Sequence, residues 1–339
     1  MTAKMKIGVV YWTEGDGIST VISETLEQLG HQTVSVPPDR RFPERLDALF
    51  AYGPMGSVAP LAKQILDRPA TERPAFALWV SESLPNPEWP EWFRRWGGEL
   101  RSGVERLAYR RGVDDTWSLA PSLQWMTFKA FRFRYYGDLY WLGRAAIPFV
   151  LAIPSSWTAE HLRERGFDPV VAHYGSSPAW GRDLGLERDV PVLWLGKVGT
   201  RRRRRLLGQL RGNLEARGVE IMMVDGVEHP YIFGDERTEL LNRTKVVVNV
   251  ARQPWEDSSL RYFLVARNKA MIVTEPTLPH TPFEDGVHLV EVPVDQMAET
   301  ICHYLNHEEE RRAIAEQASR LVTEELTMAR SLERILGHL

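Results

Sequence analysis

Apolar strands alternate with amphipathic helices along most of this chain, in two successive series. A strand–helix–strand order implies parallel pairing, because each crossover needs a helix to return the chain to the same edge. Lys6–Tyr11 reads as the first strand. Ile18, Val21, Ile22, Leu26 and Leu29 then fall on one helical face, and Gly30 closes that helix. Thr33–Val36, Leu46–Tyr52, Ala75–Val80, Phe149–Ile153 and Val170–Tyr174 read as further strands, with helices over Val58–Leu66 and from Ser155 or Ser156 to Arg165. The second series has strands at Val192–Leu195, Ile221–Val224, Lys245–Val250, Ala270–Thr274 and His288–Val292. Its helices lie near Thr200–Arg217, Asp235–Arg243 and Ser258–Arg267, and the chain is helical from Asp295 onward.

Two segments break the rhythm. Gly175–Asp189 holds Gly, Ser and Pro without a period and reads as a linker. This divides the 339 residues into a first domain over 1–175, a linker over 176–189 and a second domain over 190–339. The other break, about 85–145, is crowded with Trp, Arg, Tyr and Phe. From Trp89 to Arg144 ten basic residues face six acidic ones, although the whole chain carries −3. Three readings of this insertion stand: an irregular subdomain that buries its aromatics, a groove for an acceptor, or a surface that meets an anionic membrane.

Composition narrows the class. With one cysteine, Cys302, no internal disulfide or cysteine metal cluster can form, which suits a reducing, cytoplasmic setting. The Ala145–Ile153 run, broken by Pro148, is far short of the roughly 20 residues of a membrane helix. The net acidic charge argues against a nucleic-acid partner. No Asp-x-Asp motif, Walker loop or Gly-x-Ser-x-Gly elbow occurs, and the histidines are expected to show no metal-ligand spacing. Neither metal nor cofactor is expected.

Three loops follow strands and carry chemistry. In Trp12–Gly17, Gly15 and Gly17 would let a ligand approach the backbone at a helix start; a tight turn without a ligand is the plain alternative. In Gly196-Lys-Val-Gly-Thr-Arg-Arg-Arg-Arg-Arg205, cations oppose the dipole of the helix they open. An anion nearby would offset this, with Gly196 allowing close approach and Lys197, Arg201 and Arg202 clamping a pyrophosphate. The alternative is a solvated basic face, and at least two of the arginines must point elsewhere. Arg261, in the first turn of a later helix, would reach the same anion or lie on the surface. In Thr274–Gly286, Glu275 and Glu284 would accept from ribose or sugar hydroxyls, while Asp285-Gly286 reads as a turn.

The order of these motifs resembles the group-one glycosyltransferases of GT-B fold, and within them the spore-maturation (CgeB-like) branch. Ile153–Phe167 with Val170–Gly175, Val192–Lys197 with Arg202, Phe283–Val290, Met297–Leu305 and Glu310–Ala318 carry the resemblance. It implies an α/β protein of two Rossmann-like, parallel-sheet domains facing across a cleft, with a nucleotide-sugar donor on the second and an unidentified acceptor on the first. Lys197 and Arg202 would neutralise the leaving diphosphate without a metal. Asp16 or Glu82 would serve as base if the reaction inverts, or orient sugar if it retains. The chain departs from the family where a helix glutamate should reach the ribose: Leu264 stands near that place, and Asn268-Lys269 stands where glycine is expected. Rival readings are an inactive GT-B binding scaffold, an epimerase of the same fold, and a nucleic-acid binder.

Overall fold

The computed structural model describes all residues except 1–3, 12–16, 38–42, 44, 54–57, 111–123 and 258. The chain forms two compact units, 1–172 with 332–339, and 173–331.

The first unit is built on six parallel strands: β1 (Lys6–Val10), β2 (Gln32–Val36), β3 (Ala48–Tyr52), β4 (Ala75–Trp79), β5 (Val150–Ile153) and β6 (Val170–Val171), in the order β2-β1-β3-β4-β5-β6. Ala48, Leu49, Phe50 and Ala51 of β3 are wholly buried, as a central parallel strand covered on both faces requires. Helix α1 (Gly17–Gln28) follows β1, α2 (Ala59–Leu66) follows β3 and α5 (Ser156–Arg163) follows β5. Ser155 caps α5 by accepting from the Thr158 amide at 3.2 Å.

The aromatic insertion is not irregular. It forms two long helices, α3 (Glu91–Arg110) and α4 (Gln124–Arg144). They cross where Gly98 meets Gly137: a Cβ on Gly137 would lie 1.9 Å from the Gly98 carbonyl oxygen. Glu91 fastens this pair to the turn that follows α5. Its carboxylate accepts from Tyr136 (2.5 Å), Tyr140 (2.9 Å) and Arg165 (2.8 Å), and pairs with Arg94 at 2.7 Å.

The second unit has five parallel strands: β7 (Val190–Leu195), β8 (Ile221–Val224), β9 (Thr244–Asn249), β10 (Met271–Thr274) and β11 (Val290–Glu291), in the order β11-β10-β9-β7-β8. Its helices are α6 (Arg201–Glu215), α7 (Gly234–Arg243), α8 (Ser259–Arg267), α9 (Met297–Asn306), α10 (Glu308–Arg320) and α11 (Met328–Leu336), with a π-helical turn at Leu321–Glu325. Val192, Trp194, Val246, Val248, Met271 and Val273 from the sheet pack with Leu207, Leu210 and Leu214 of α6. The segment expected to be a linker is folded onto this unit: Ser176, Ser177 and Trp180 are buried, and Ser176 bridges to Leu326 and Met328 through backbone hydrogen bonds of 2.8 and 2.9 Å. The last residues, 332–339, group with the first unit instead of the second.

Candidate functional site

In an open parallel sheet, the place for a ligand is the crevice at the carboxyl ends of neighbouring strands whose crossovers run in opposite directions. In the second unit those strands are β7 and β9. The cationic side chains gather there, because the loop after β7 and the first turn of α6 carry them.

Gly196 leaves β7 at φ +125°, in the left-handed half of the map, and a Cβ there would press against Arg261 at 3.0 Å. Gly199 turns at φ +65°, and Thr200 caps α6 by accepting from the Arg203 amide at 3.2 Å. Helix periodicity then sorts the arginine run. Arg203 points inward with Leu207, Leu210 and Leu214, while Arg201, Arg204 and Arg205 are exposed. Arg202 lies between these extremes.

Arg203 is the brace of the site. It is 4% exposed, and it donates to the carbonyls of Val250 (2.7 Å) and Lys197 (3.0 Å), tying the end of β9 to the loop after β7. Its guanidinium lies 5.2 Å from the Trp194 ring centre, and that of Arg261 lies 4.5 Å away. Arg261 also donates to the Leu195 carbonyl (3.1 Å) and to Asn249 Oδ1. Burial, reinforced by the charge of Arg261, pulls Arg203 down to about 9, and burial pulls Arg261 down to about 10. Both remain cationic at neutral pH. Two guanidiniums against the Trp194 ring thus concentrate positive charge at the strand ends.

Two carboxylates offset part of that charge. Glu256, 7% exposed, accepts from the backbone and side chain of Arg252 and lies 3.6 Å from Arg203. Glu275, directly after β10, takes both arms of the Arg202 fork and the Ala251 amide, while Arg202 also donates to the Ala251 carbonyl at 2.8 Å. The paired carboxylate raises the proton affinity of Arg202. Lys197 is exposed at the rim.

The expected donor residues thus divide. Gly196, Lys197, Arg202, Arg261 and Glu275 come together around the ends of β7, β9 and β10. Arg201 is exposed on α6. Glu284 sits exposed in the turn before β11, where its amide donates to His288 Nδ1 at 3.1 Å. Sequence reasoning missed Trp194, Arg203, Arg252 and Glu256. Of these, Arg203 carried a signal, its spacing of four and seven from Leu207 and Leu210.

In the first unit, Gly15 and Asp16 lie outside the described residues. Gly17 opens α1, where an added Cβ would meet nothing within 4 Å, and Glu82 is half-buried after β4. One expectation fails: His303 and His307, four apart in sequence, stand with Glu310 in a cluster whose ligand atoms lie within 4.8 Å of one another. The i, i+4 spacing was present in the sequence, but the third member arrives only because the chain turns from α9 into α10.

Comparison with solved structures gives the fold. Anabaena HepE, in a complex with UDP and glucose, superposes with a TM-score of 0.61 at 10% identity, over 98% of this chain and 99% of that one. A glycosyltransferase from Rickettsia africae gives 0.57 at 13% identity, over 99% and 98%. TarM gives 0.56 at 11% identity over 86% of this chain, which spans only 54% of TarM. The fold is therefore GT-B, two parallel-sheet α/β domains. Residues 193–337 match the family described as glycosyl transferase-like. That match covers less than half of the chain, and the residues it covers carry the candidate site. No curated protein sequence matches the chain.

Proposed function

We propose that this protein transfers a sugar from a nucleotide-sugar donor, held on the second unit, to an acceptor bound by the first. The observation that carries the reading is the convergence of Lys197, Arg202, Arg203 and Arg261 on the carboxyl ends of β7 and β9, at the switch point of a sheet in a glycosyl transferase-like domain. A diphosphate leaving group develops negative charge as the glycosidic bond breaks. Fixed guanidinium and ammonium groups can stabilise that charge without reorganising and without a metal. In this scheme Lys197 and the Arg202 fork meet the diphosphate, Gly196 lets it approach the backbone, and Arg203 and Arg261 hold the loop in place. Asp16 and Glu82 are assigned to the acceptor side as base or sugar-orienting groups. On the order of its motifs, the chain is assigned to the spore-maturation branch.

The test is a thermal-shift and calorimetric screen against UDP, GDP, dTDP, ADP and their sugars in EDTA. UDP-glucose comes first, because UDP and glucose occupy the HepE complex. One nucleotide should bind and stabilise the wild type, and Lys197→Ala and Arg202→Ala should each weaken it at least about tenfold, the cost of losing a charge-assisted contact. Binding that survives both substitutions, or no binding by a folded sample, sinks the proposal in favour of an inactive scaffold.

A second reading concerns the first unit. One face of α3 presents Trp92 (71% exposed), Trp96 (60%), Leu100 (56%) and Leu107 (50%), spaced at helical intervals, with Trp89 (41%) just before it. Arg95 and Arg144 are exposed and share one carboxylate, Glu99 of α3, so the pair keeps a net positive charge. Tryptophan and arginine together suit the boundary of an anionic bilayer. We propose that this face rests on such a surface. Cosedimentation with phosphatidylserine vesicles should exceed that with phosphatidylcholine and fall in a Trp92→Ser/Trp96→Ser variant; equal recovery of variant and wild type removes the reading. No helix among the described residues is long and apolar enough to cross a membrane.

A further inference from the structure

We propose that His303, His307 and Glu310 form a surface site for a divalent ion of the zinc class, fastening the end of α9 to the start of α10. The inference shares no residue with the donor group and does not rest on the glycosyltransferase reading.

Local geometry supplies a ligand set. His303 lies in the last turn of α9 and His307 is the residue that ends it, its amide donating to the His303 carbonyl at 3.0 Å. Residues at i and i+4 share one helix face, the arrangement in which paired histidines bind zinc. The rings stack with centroids 4.0 Å apart and planes 18° from parallel. His307 Nδ1 lies 2.8 Å from the His303 carbonyl oxygen. A carbonyl can only accept, so Nδ1 carries the proton, and Nε2 of His307 keeps its lone pair for a metal. A backbone carbonyl in this role orients a ligating imidazole and raises its basicity.

The third donor comes from the next helix. The chain reverses at His307 and enters α10 at Glu308, which places Glu310 in the first turn. There its Oε2 lies 3.1 Å from His303 Nε2. The three ligand atoms lie within 4.8 Å of one another. A tetrahedral zinc ion with bonds of about 2.0–2.1 Å holds its donors roughly 3.4 Å apart, so the side chains need to close by about an ångström. All three are exposed at the surface, where such a shift displaces no core side chain. Two imidazoles, one carboxylate and a water complete four-coordination, and this mixed set favours zinc over the all-oxygen ions magnesium and calcium.

An ion here would act on the fold. Helix α9 packs on α6, β9 and β10, and α10 packs on α8 and β10. An ion that joins their adjacent ends binds the folded state and not the unfolded chain, so its binding free energy adds to stability.

The experiment uses the full-length chain without an affinity tag. Zinc chloride is titrated calorimetrically, and melting is followed with zinc or magnesium present. The wild type should bind one zinc per chain more tightly than any background and melt higher with zinc but not with magnesium. The His303→Ala/His307→Ala variant should lose that site and the shift, and Glu310→Gln should weaken it by about tenfold or more. The three side chains are surface groups, so each variant should match the wild-type far-ultraviolet circular dichroism. Zinc binding of equal stoichiometry and affinity in the double variant places the ion elsewhere and overturns the proposal. Absence of binding by the wild type overturns it equally.

Discussion

Arg202 and Glu275 pair directly at the proposed donor site, and their pairing sets a competition. Glu275 takes both arms of the Arg202 fork, so a diphosphate must share or displace that carboxylate. Glu275→Gln keeps an acceptor for the Ala251 amide but removes a negative charge beside the proposed anion. UDP affinity should therefore rise by about threefold to tenfold, while stability falls by about 1–3 kcal/mol as a charge-assisted pair is lost. Titration of UDP alongside thermal melting reads both. Weaker UDP binding in the variant would mean that Glu275 touches the donor itself, the ribose-contact role its position after a strand suggests. At this scale the sequence was half legible. Lys197 stands out in a glycine-flanked loop after a strand, Arg202 in the run that opens the next helix, and Arg261 in the first turn of a later helix, where a surface place was the equal alternative. Glu256 and Trp194 do not, because one acidic residue in a polar loop and one aromatic in an apolar strand look like many others until β7 and β9 lie side by side.

The helical pair α3–α4 was the least legible element, for a physical reason. Apolar periodicity identifies a helix when polar residues face out, yet here Arg94, Arg101, Arg134 and Asp138 are buried while Trp92 and Trp96 are exposed. Glycine inside a helical pattern also argues against the helix, although Gly98 and Gly137 are what allow these two to touch. Gly137→Ala should push the helices apart, because the new methyl group would meet backbone at 1.9 Å; a cost of about 1–3 kcal/mol is expected. In the same helix, Gly143 has nothing within 4 Å, so Gly143→Ala should stabilise by about 0.5–1 kcal/mol through helix propensity. Urea denaturation of the two variants should give opposite signs. A stabilising Gly137→Ala would show that the helices do not pack at this crossing.

Across the whole molecule the two sheets share one plan, each growing outward from its first strand in both directions; strand–helix alternation anticipated two parallel sheets but not this order. The linker was misjudged by composition. Its polar, proline-bearing sequence hides fixed partners: Asn268 donates to the Trp180 carbonyl at 3.2 Å and to that of Leu264 at 2.8 Å. Lys269 adopts the left-handed φ of +53°. The Asn268-Lys269 pair that replaces the expected glycine thus closes α8, with Asn268 holding Trp180 while Arg267 beside it holds Ser176 and Gly181. Titratable groups shared among elements also give the molecule an acid limit. In the first unit, burial and the charges of Arg165 and Arg94 lower His161 to about 4, against an ordinary value near 6.5, despite Glu164 and Glu91 pulling the other way. The unfolded chain therefore binds the extra proton first, so stability is full above pH 6.5 and is lost as pH falls from about 6.5 to 4. His161 is only half-buried, so after solvent screening this loss is about 1–2 kcal/mol. Glu91 adds a further loss at lower pH: hydrogen bonds from Tyr136, Arg165 and Tyr140 outweigh its burial and hold its carboxyl below the usual range. His288 in the second unit is lowered by burial too. The slope must therefore be read as the difference between wild type and His161→Gln. Between pH 6.5 and 4 the variant should lose less stability than the wild type, measured by urea denaturation at stepped pH. Parallel curves would show that His161 is protonated at no cost in the folded protein, with Arg94 and Arg165 turned away from it.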